Sequence, residues 1–191
     1  MKDFLLKRKY LYEELSKDKK FKDSVVKAGH IIITALKKGN KLLIFGNGGS
    51  AGQAQHFAAE LVCQFEKKRR ALAAIALTTD SSILTAQSND FGFDSVFSRQ
   101  IEALCRKGDV VIGLTTSDSD PNGDHSKNIE KAFLAAKRLK AKTIGLFSVR
   151  TKNLLSVTDV PVIIPSTNTA LTQEAHQCII HLLCSLIEED L

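Results

Sequence analysis

The sequence predicts an α/β fold, a parallel five-stranded sheet flanked by helices, with two further helices at the N-terminus. Three observations carry this expectation. Short apolar segments recur at 41–45, 71–77, 109–114, 143–147 and 160–164, and each is apolar nearly throughout, as strands covered on both faces are. Helical patterns at 50–66, 81–88, 96–106, 126–139 and 170–189 alternate with them, and such alternation builds a parallel sheet wrapped by helices. At 191 residues and 21.0 kDa the chain has the length of one domain with a sizeable core. The expected organisation is a single domain over 1–191, with a helical extension at 1–40 and an α/β core at 41–191.

Taken in order, the first helix shows Leu5, Leu6, Tyr10, Leu11 and Leu15 at helical spacing, and the second shows Phe21, Val25, Ile32 and Leu36. Gly39-Asn40 stops the second helix. The first strand, "KLLIF", empties into "GNGGSAGQAQHFAAELV", the most unusual stretch of the chain. The later strands end in "ALTTDSS", "GLTTS" and "PSTNTALTQ", and one polar insertion, "TSDSDPNGDHS", precedes the fourth core helix.

Lys and Arg outnumber Asp and Glu by 27 to 21. The excess sits in runs such as "KRK", "KDKKFK" and "KKRR", which read as solvated helix ends. Phe21 is the one aromatic within these runs, which gives little support to nucleic acid as a partner. No apolar run reaches membrane length, and the start lacks the apolar core of a leader. The expectation is a soluble cytoplasmic protein with no membrane partner. The four cysteines, Cys63, Cys105, Cys178 and Cys184, form no CxxC pair and have mostly apolar neighbours, so they read as buried free thiols in a reducing compartment.

In an open parallel sheet, ligands bind beyond the carboxyl ends of the strands. The "GNGGS" loop lies at such an end and leads into a helix N-terminus, where free N–H groups and the helix dipole favour an anion. It matches neither GxGxxG nor GxxxxGKS, so a nucleotide is not indicated. Thr115, Thr116, Ser117 and the other hydroxyls at neighbouring strand ends suit a phosphorylated or polyhydroxylated molecule; singly, each is an ordinary turn residue. His56 and Glu60, spaced i, i+4, share a helix face. Such a pair can hold a metal ion or work as an acid/base couple. Gln173, His176, Gln177 and His181 are polar intruders on the otherwise apolar last helix.

"FGNGGSAGQAQHFAAEL", "SNDFGFDSVFSRQIEAL" and "TQEAHQCIIHLLC" resemble the signatures of the phosphoheptose isomerases, a family of the sugar isomerase (SIS) domain group, over nearly the whole chain. The resemblance implies a flavodoxin/Rossmann-like sandwich whose N-terminal helices serve oligomerisation. It also implies a cytoplasmic homotetramer that converts sedoheptulose 7-phosphate to D-glycero-D-manno-heptose 7-phosphate. That reaction opens the supply of ADP-heptose for lipopolysaccharide core or capsule. Carried over by motif, Asn47, Gly48, Gly49 and Ser50 line the substrate, joined by Asn89, Asp90, Thr115, Thr116, Ser117, Ser126 and Gln173. The resemblance makes Glu60 and His181 catalytic, with Glu60 also touching substrate, and gives His56, Glu60, Gln173 and His181 as ligands of Zn2+. Gln173 and His181 are eight residues apart, about 12 Å along a helix, so sites shared between subunits are expected.

The chain departs from the family where "STSGNSxNV" becomes "TTSDSDPNGDHSKNI". Either Ser119 or Ser126 then stands for the family's later serine. Asp118, Asp120 and Asn122 begin a pattern like that of a Ca2+ loop, although no glutamate closes it at the proper place; the alternative is a solvated turn. The competing reading of the whole chain is a non-catalytic SIS-domain binding protein, like the one that associates with the DnaA initiator. That protein resembles the isomerases but lacks counterparts of Glu60 and His181.

Overall fold

A computed structural model describes residues 1–119 and 126–191. The elements, in chain order, are α1 (Lys2–Lys17), α2 (Lys19–Lys37), β1 (Leu42–Gly46), α3 (Gly49–Val62), β2 (Ala74–Ala76), α4 (Ser81–Phe91), α5 (Val96–Leu104), β3 (Val110–Leu114), α6 (Lys127–Arg138), β4 (Lys142–Ser148), β5 (Val160–Ile164) and α7 (Thr169–Asp190). Short 3-10 turns occupy Phe93–Ser95 and Asn153–Val157.

The sheet is all parallel in the order β2-β1-β3-β4-β5. Alternate residues of the strands feed two cores, as the two-residue period of a strand requires. Leu42 and Ile44 of β1 face a core shared with α1, α2, α3 and α7. Leu43 and Phe45 face a second core with α5 and α6. In that second core Phe45, Phe97, Phe133 and Phe147 form a chain of ring contacts with centroids 5.0 to 6.2 Å apart. Gly113 and Gly145, register partners on β3 and β4, leave the room these rings fill, since a Cβ on either would lie within 2.6 Å of a ring carbon.

The five-stranded parallel sheet flanked by helices is therefore as the sequence predicts. Four local features differ. The second apolar run pairs only over Ala74–Ala76, because β2 is an edge strand with one neighbour; Leu72 and Leu77 are buried outside it. α3 ends at Val62 rather than near residue 66. The N–H groups of Phe65, Glu66 and Lys67 donate instead to the Glu188 carboxylate on α7. The helices of 1–40 are part of the main core: α2 buries Val25, Ala28, Ile32, Ile33 and Leu36. Finally, only Cys105 and Cys184 are buried, whereas Cys63 and Cys178 are exposed. Burial pushes the Cys105 thiol up to about 11 and the Cys184 thiol to about 12, with nearby carboxylates adding to both.

Candidate active site

The strand order reverses direction between β1 and β3, and the crevice at such a reversal is where ligands bind in this class of sheet. The glycine loop follows β1 and the hydroxyl run follows β3, so the sequence's two polar signals meet there. Asn47 in the loop and Asn128 in the first turn of α6 exchange a reciprocal pair of amide hydrogen bonds, 3.0 and 2.9 Å. Asn128 is a residue the sequence reading missed. Its position two places after a loop serine is the only local signal it offers.

Gly48 caps α3 with φ 54° and ψ −122°, a conformation that favours glycine. Gly49 meets the Gln173 side chain: a Cβ there would lie 2.7 Å from the amide nitrogen and 2.9 Å from the oxygen. Gln53 donates to the Gln173 carbonyl at 2.7 Å. Ser50 is buried beside Gly46.

Beyond β3, the Ser117 N–H donates to Thr115 Oγ1 at 3.2 Å, and Ser148 donates to the Thr116 carbonyl at 2.8 Å. Ser117 Oγ lies 3.4 Å from Ser126 Oγ. Of the two serines left open by the sequence, Ser126 is thus the one facing the hydroxyl run. Ser119 is buried on the other side, where its carbonyl accepts from Asn153. Asp118 accepts the backbone N–H groups of Asn153 and Leu154 at 2.8 to 3.2 Å and so caps the 3-10 turn Asn153–Val157. Asp120 and Asn122 of the Ca2+ pattern lie outside the described residues. Asn89 and Asp90 sit exposed at the end of α4, bonded to each other at 2.8 Å.

The candidate acid/base cluster lies further along α3, where it meets α7. His56 Nε2 is 3.3 Å from Glu60 Oε1 and 2.9 Å from His181 Nε2 on α7. Gln177 contacts the same His181 nitrogen at 3.0 Å, and the Phe65 ring stacks on the imidazole, with centroids 5.4 Å apart and planes inclined by 27°. His56, Glu60 and His181 are the group of His, Cys, Asp and Glu residues, among those described, whose ligand atoms all lie within 4.8 Å of one another. These donors suit a metal chemically. Two imidazole nitrogens and a carboxylate oxygen are borderline and hard ligands of the kind zinc takes, and a zinc tetrahedron with bonds of about 2.0–2.1 Å has edges of about 3.4 Å. Two nitrogens and an oxygen with lone pairs converging so closely have few protons to share, which a cation would relieve.

Gln173 stands apart from this trio within the chain. It is eight residues before His181 on α7, about 12 Å along the axis, with its amide over Gly49. His176 is likewise elsewhere. It is fully buried, with Nε2 3.3 Å from the Phe147 carbonyl and Nδ1 without a partner. Burial holds it neutral, its pKa lowered to about 4.

A parallel sheet with this reversal, a glycine loop opening a helix and a hydroxyl run at the adjacent strand end place the chain in the class of α/β domains with a ligand crevice at the switch point, and the family model of the SIS domain matches residues 7–148. Within that class, a phosphoheptose isomerase of Geotalea daltonii is 52% identical over 161 residues, 84% of this chain and 81% of the relative. The structure of a phosphoheptose isomerase from Francisella tularensis superposes with TM-score 0.90 at 32% identity, covering 98% of this chain and 96% of the other. That of a phosphoheptose isomerase from Neisseria gonorrhoeae gives TM-score 0.88 at 36% identity with the same coverage, 98% and 96%. The chain belongs to the phosphoheptose isomerase family of SIS-domain proteins.

Proposed function

We propose that this protein is an aldose–ketose isomerase acting on sedoheptulose 7-phosphate to give D-glycero-D-manno-heptose 7-phosphate. The observation that carries the reading is the convergence of His56 and Glu60, on the helix that the glycine loop opens, with His181 of α7, at 2.9 and 3.3 Å. A pure binding module of the same fold has no use for an imidazole–carboxylate–imidazole cluster beside the sugar crevice.

In the mechanism, Glu60 takes the proton from the carbon beside the carbonyl and returns it to the neighbouring carbon. His181, its ring held by Gln177 and Phe65, moves the proton between the two oxygens of the enediol. The amides at Gly48 and Gly49, with Thr115, Ser117 and Ser126, receive the phosphorylated end of the substrate. Asn47, Ser50 and Gln173 orient the hydroxyls. Zn2+ held by His56, Glu60 and His181 would lend Lewis-acid stabilisation to oxygens gaining charge.

The protein is further read as a cytoplasmic enzyme supplying heptose for lipopolysaccharide or capsule, and as a homotetramer. Among the described residues no helix is long and apolar enough to cross a membrane. The tetramer is supported by α4, which buries none of its residues within the chain, and by the apolar side chains exposed around it, Ile83, Phe91 and Phe93. Apolar surface of this kind marks an interface. Asn89 and Asp90 on the same helix would then reach a neighbour's crevice, and a neighbouring chain could also supply Gln173. A coupled assay of the purified protein with sedoheptulose 7-phosphate, run after chelation and again with added zinc, tests the reading. Turnover that chelation abolishes and zinc restores is expected. No turnover in either condition would overturn the proposed activity.

A further inference from the structure

The isomerase mechanism makes no use of the most heavily hydrogen-bonded buried ion pair of the described residues. Arg69 and Glu188 have side chains only 6% and 2% exposed and meet at 2.9 Å. Arg69 Nη2 donates to the carbonyl of Glu60 at 2.6 Å, and Nη1 donates to that of Leu61 at 2.9 Å. The last carbonyls of an α-helix have no partner inside the helix, and here a planar fork takes two of them. Glu188 in turn receives the N–H groups of Phe65, Glu66 and Lys67 at 3.0, 3.0 and 2.8 Å. Burial alone would raise its pKa, but those three N–H groups and Arg69 outweigh burial and hold the carboxyl below its ordinary value, ionised.

The positions of these contacts matter more than their strength. One anchor of Arg69 is the backbone of Glu60 itself. Glu188 lies seven residues beyond His181, about two turns along α7, so both project from nearly the same face. By gripping the Phe65 N–H, Glu188 sets the backbone from which the Phe65 ring stacks on His181 at 5.4 Å. The pair therefore joins the turn of α3 that carries the carboxylate, the helix that carries the imidazole and the ring that covers the imidazole.

We infer that Arg69 and Glu188 are positioning residues, which set the separation of Glu60 from His181 and the orientation of the His181 ring through Phe65. The kinetic arm of the inference rests on the isomerase reading; its structural arm does not. A displacement of about 1 Å at reacting groups can cost about 10²-fold in rate, so the pair governs kcat while leaving substrate affinity largely alone.

The test compares Arg69→Lys, which keeps the charge and loses the fork, with Glu188→Gln, which keeps the shape and cannot accept all four donors. Asp109→Asn is the control. It breaks another ion pair, that of partly exposed Lys41 with buried Asp109, at the opposite ends of the strands. Expected for both test variants is a fall in kcat of about 10–100-fold with KM changed by less than about threefold. Asp109→Asn should lower Tm with kcat per folded molecule unchanged. Independently of activity, the His181 imidazole proton resonances, assigned by their loss in His181→Gln, should carry a ring-current shift. That shift should vanish in Phe65→Leu and change in Arg69→Lys and Glu188→Gln. If Glu188→Gln does not fold, Arg69→Lys, measured below its Tm, carries the test alone. An unmoved His181 resonance in the folded pair variants overturns the positioning role whatever kcat does, as does a kcat equal to wild type. A wild type inactive on sedoheptulose 7-phosphate would sink the activity instead, and the resonances would still decide the positioning.

Discussion

Replacing Glu60 by Gln separates the chemistry of the site from the stability of the fold. The substitution keeps the shape of the side chain and removes the base. In the structure the carboxylate is 20% exposed, and His56, whose Nε2 lies 3.3 Å away, is 39% exposed. Pairs this open to solvent contribute about 0–1 kcal/mol. In a domain of this length 1 kcal/mol moves Tm by about 2–4 °C. The variant should therefore melt within about 4 °C of wild type, while isomerisation falls by roughly 10²–10⁴-fold, the worth of a general base. Two readouts are needed. One is conversion of sedoheptulose 7-phosphate to its aldose. The other is incorporation of solvent deuterium at the carbon beside the carbonyl, followed by NMR, which reports proton abstraction even when product does not accumulate. Both should fall together. Turnover within a few-fold of wild type, or deuterium entering at the wild-type rate, would refute Glu60 as the base.

Three further outcomes are expected. Gly49→Ala places a methyl 2.7 Å from the Gln173 amide; the flexible amide swings away, one hydrogen bond to substrate of about 1–1.5 kcal/mol is lost and KM rises about tenfold with little change in Tm, and an unchanged KM would remove Gln173 from the substrate. His176 has its pKa lowered to about 4 by burial, so between the ordinary value of about 6.5 and that point the unfolded chain binds the extra proton and stability falls as pH falls, by up to roughly 3 kcal/mol; urea unfolding at pH 7 and 4.5 should show a slope that flattens in His176→Gln, and an identical slope would contradict this. Subunit exchange between Glu60→Gln and His181→Ala should restore no activity, because both residues belong to one cluster of one chain, whereas exchange between Glu60→Gln and Gln173→Ala should restore some if Gln173 serves a neighbour's site. Activity recovered from the first mixture would contradict the single-chain cluster.

The central strands could be read from sequence because they are buried on both faces and therefore apolar at every position, as β1 and β3 show. β2 was overdrawn because an apolar run does not reveal how much of it finds a partner strand. The end of α3 was misplaced for a different reason: its helix formers continue past Val62, and what stops it is a carboxylate more than a hundred residues away. Half of the candidate acid/base site follows from spacing alone, since i, i+4 puts His56 beside Glu60 whatever the rest of the fold does. The other half does not. His181 is 125 residues from His56, and nothing local distinguishes it from His176. Those two histidines, five residues apart, point to different sides of α7; one meets the cluster, and the other meets a strand carbonyl in the core. Only the family resemblance chose His181 in advance. Asn128, Phe65 and Arg69 had no local signal of comparable strength, because each acts through a contact made across the fold.

On the proposed reading, the pairing of α3 with α7 lets one architecture both hold a phosphorylated sugar and move its protons. The two helices run side by side in the same direction, with Gly49 against Gln173, His56 against His181, and the chain just past α3 against Glu188. From the first contact to the second is seven residues on α3 and eight on α7, about 10–12 Å in both cases. Near its N-terminal end this pairing offers the start of a helix, a glycine backbone and, through the Asn47–Asn128 link, the hydroxyls around Ser117 and Ser126. Two turns further on it offers a carboxylate and two imidazoles. Anion binding is confined to the helix start by the dipole and the unpaired N–H groups, whereas a carboxylate base gains nothing from that end. The separation thus follows from helix electrostatics, and it favours a substrate long enough to put its phosphate at one level and its carbonyl at the other, as a seven-carbon sugar phosphate can.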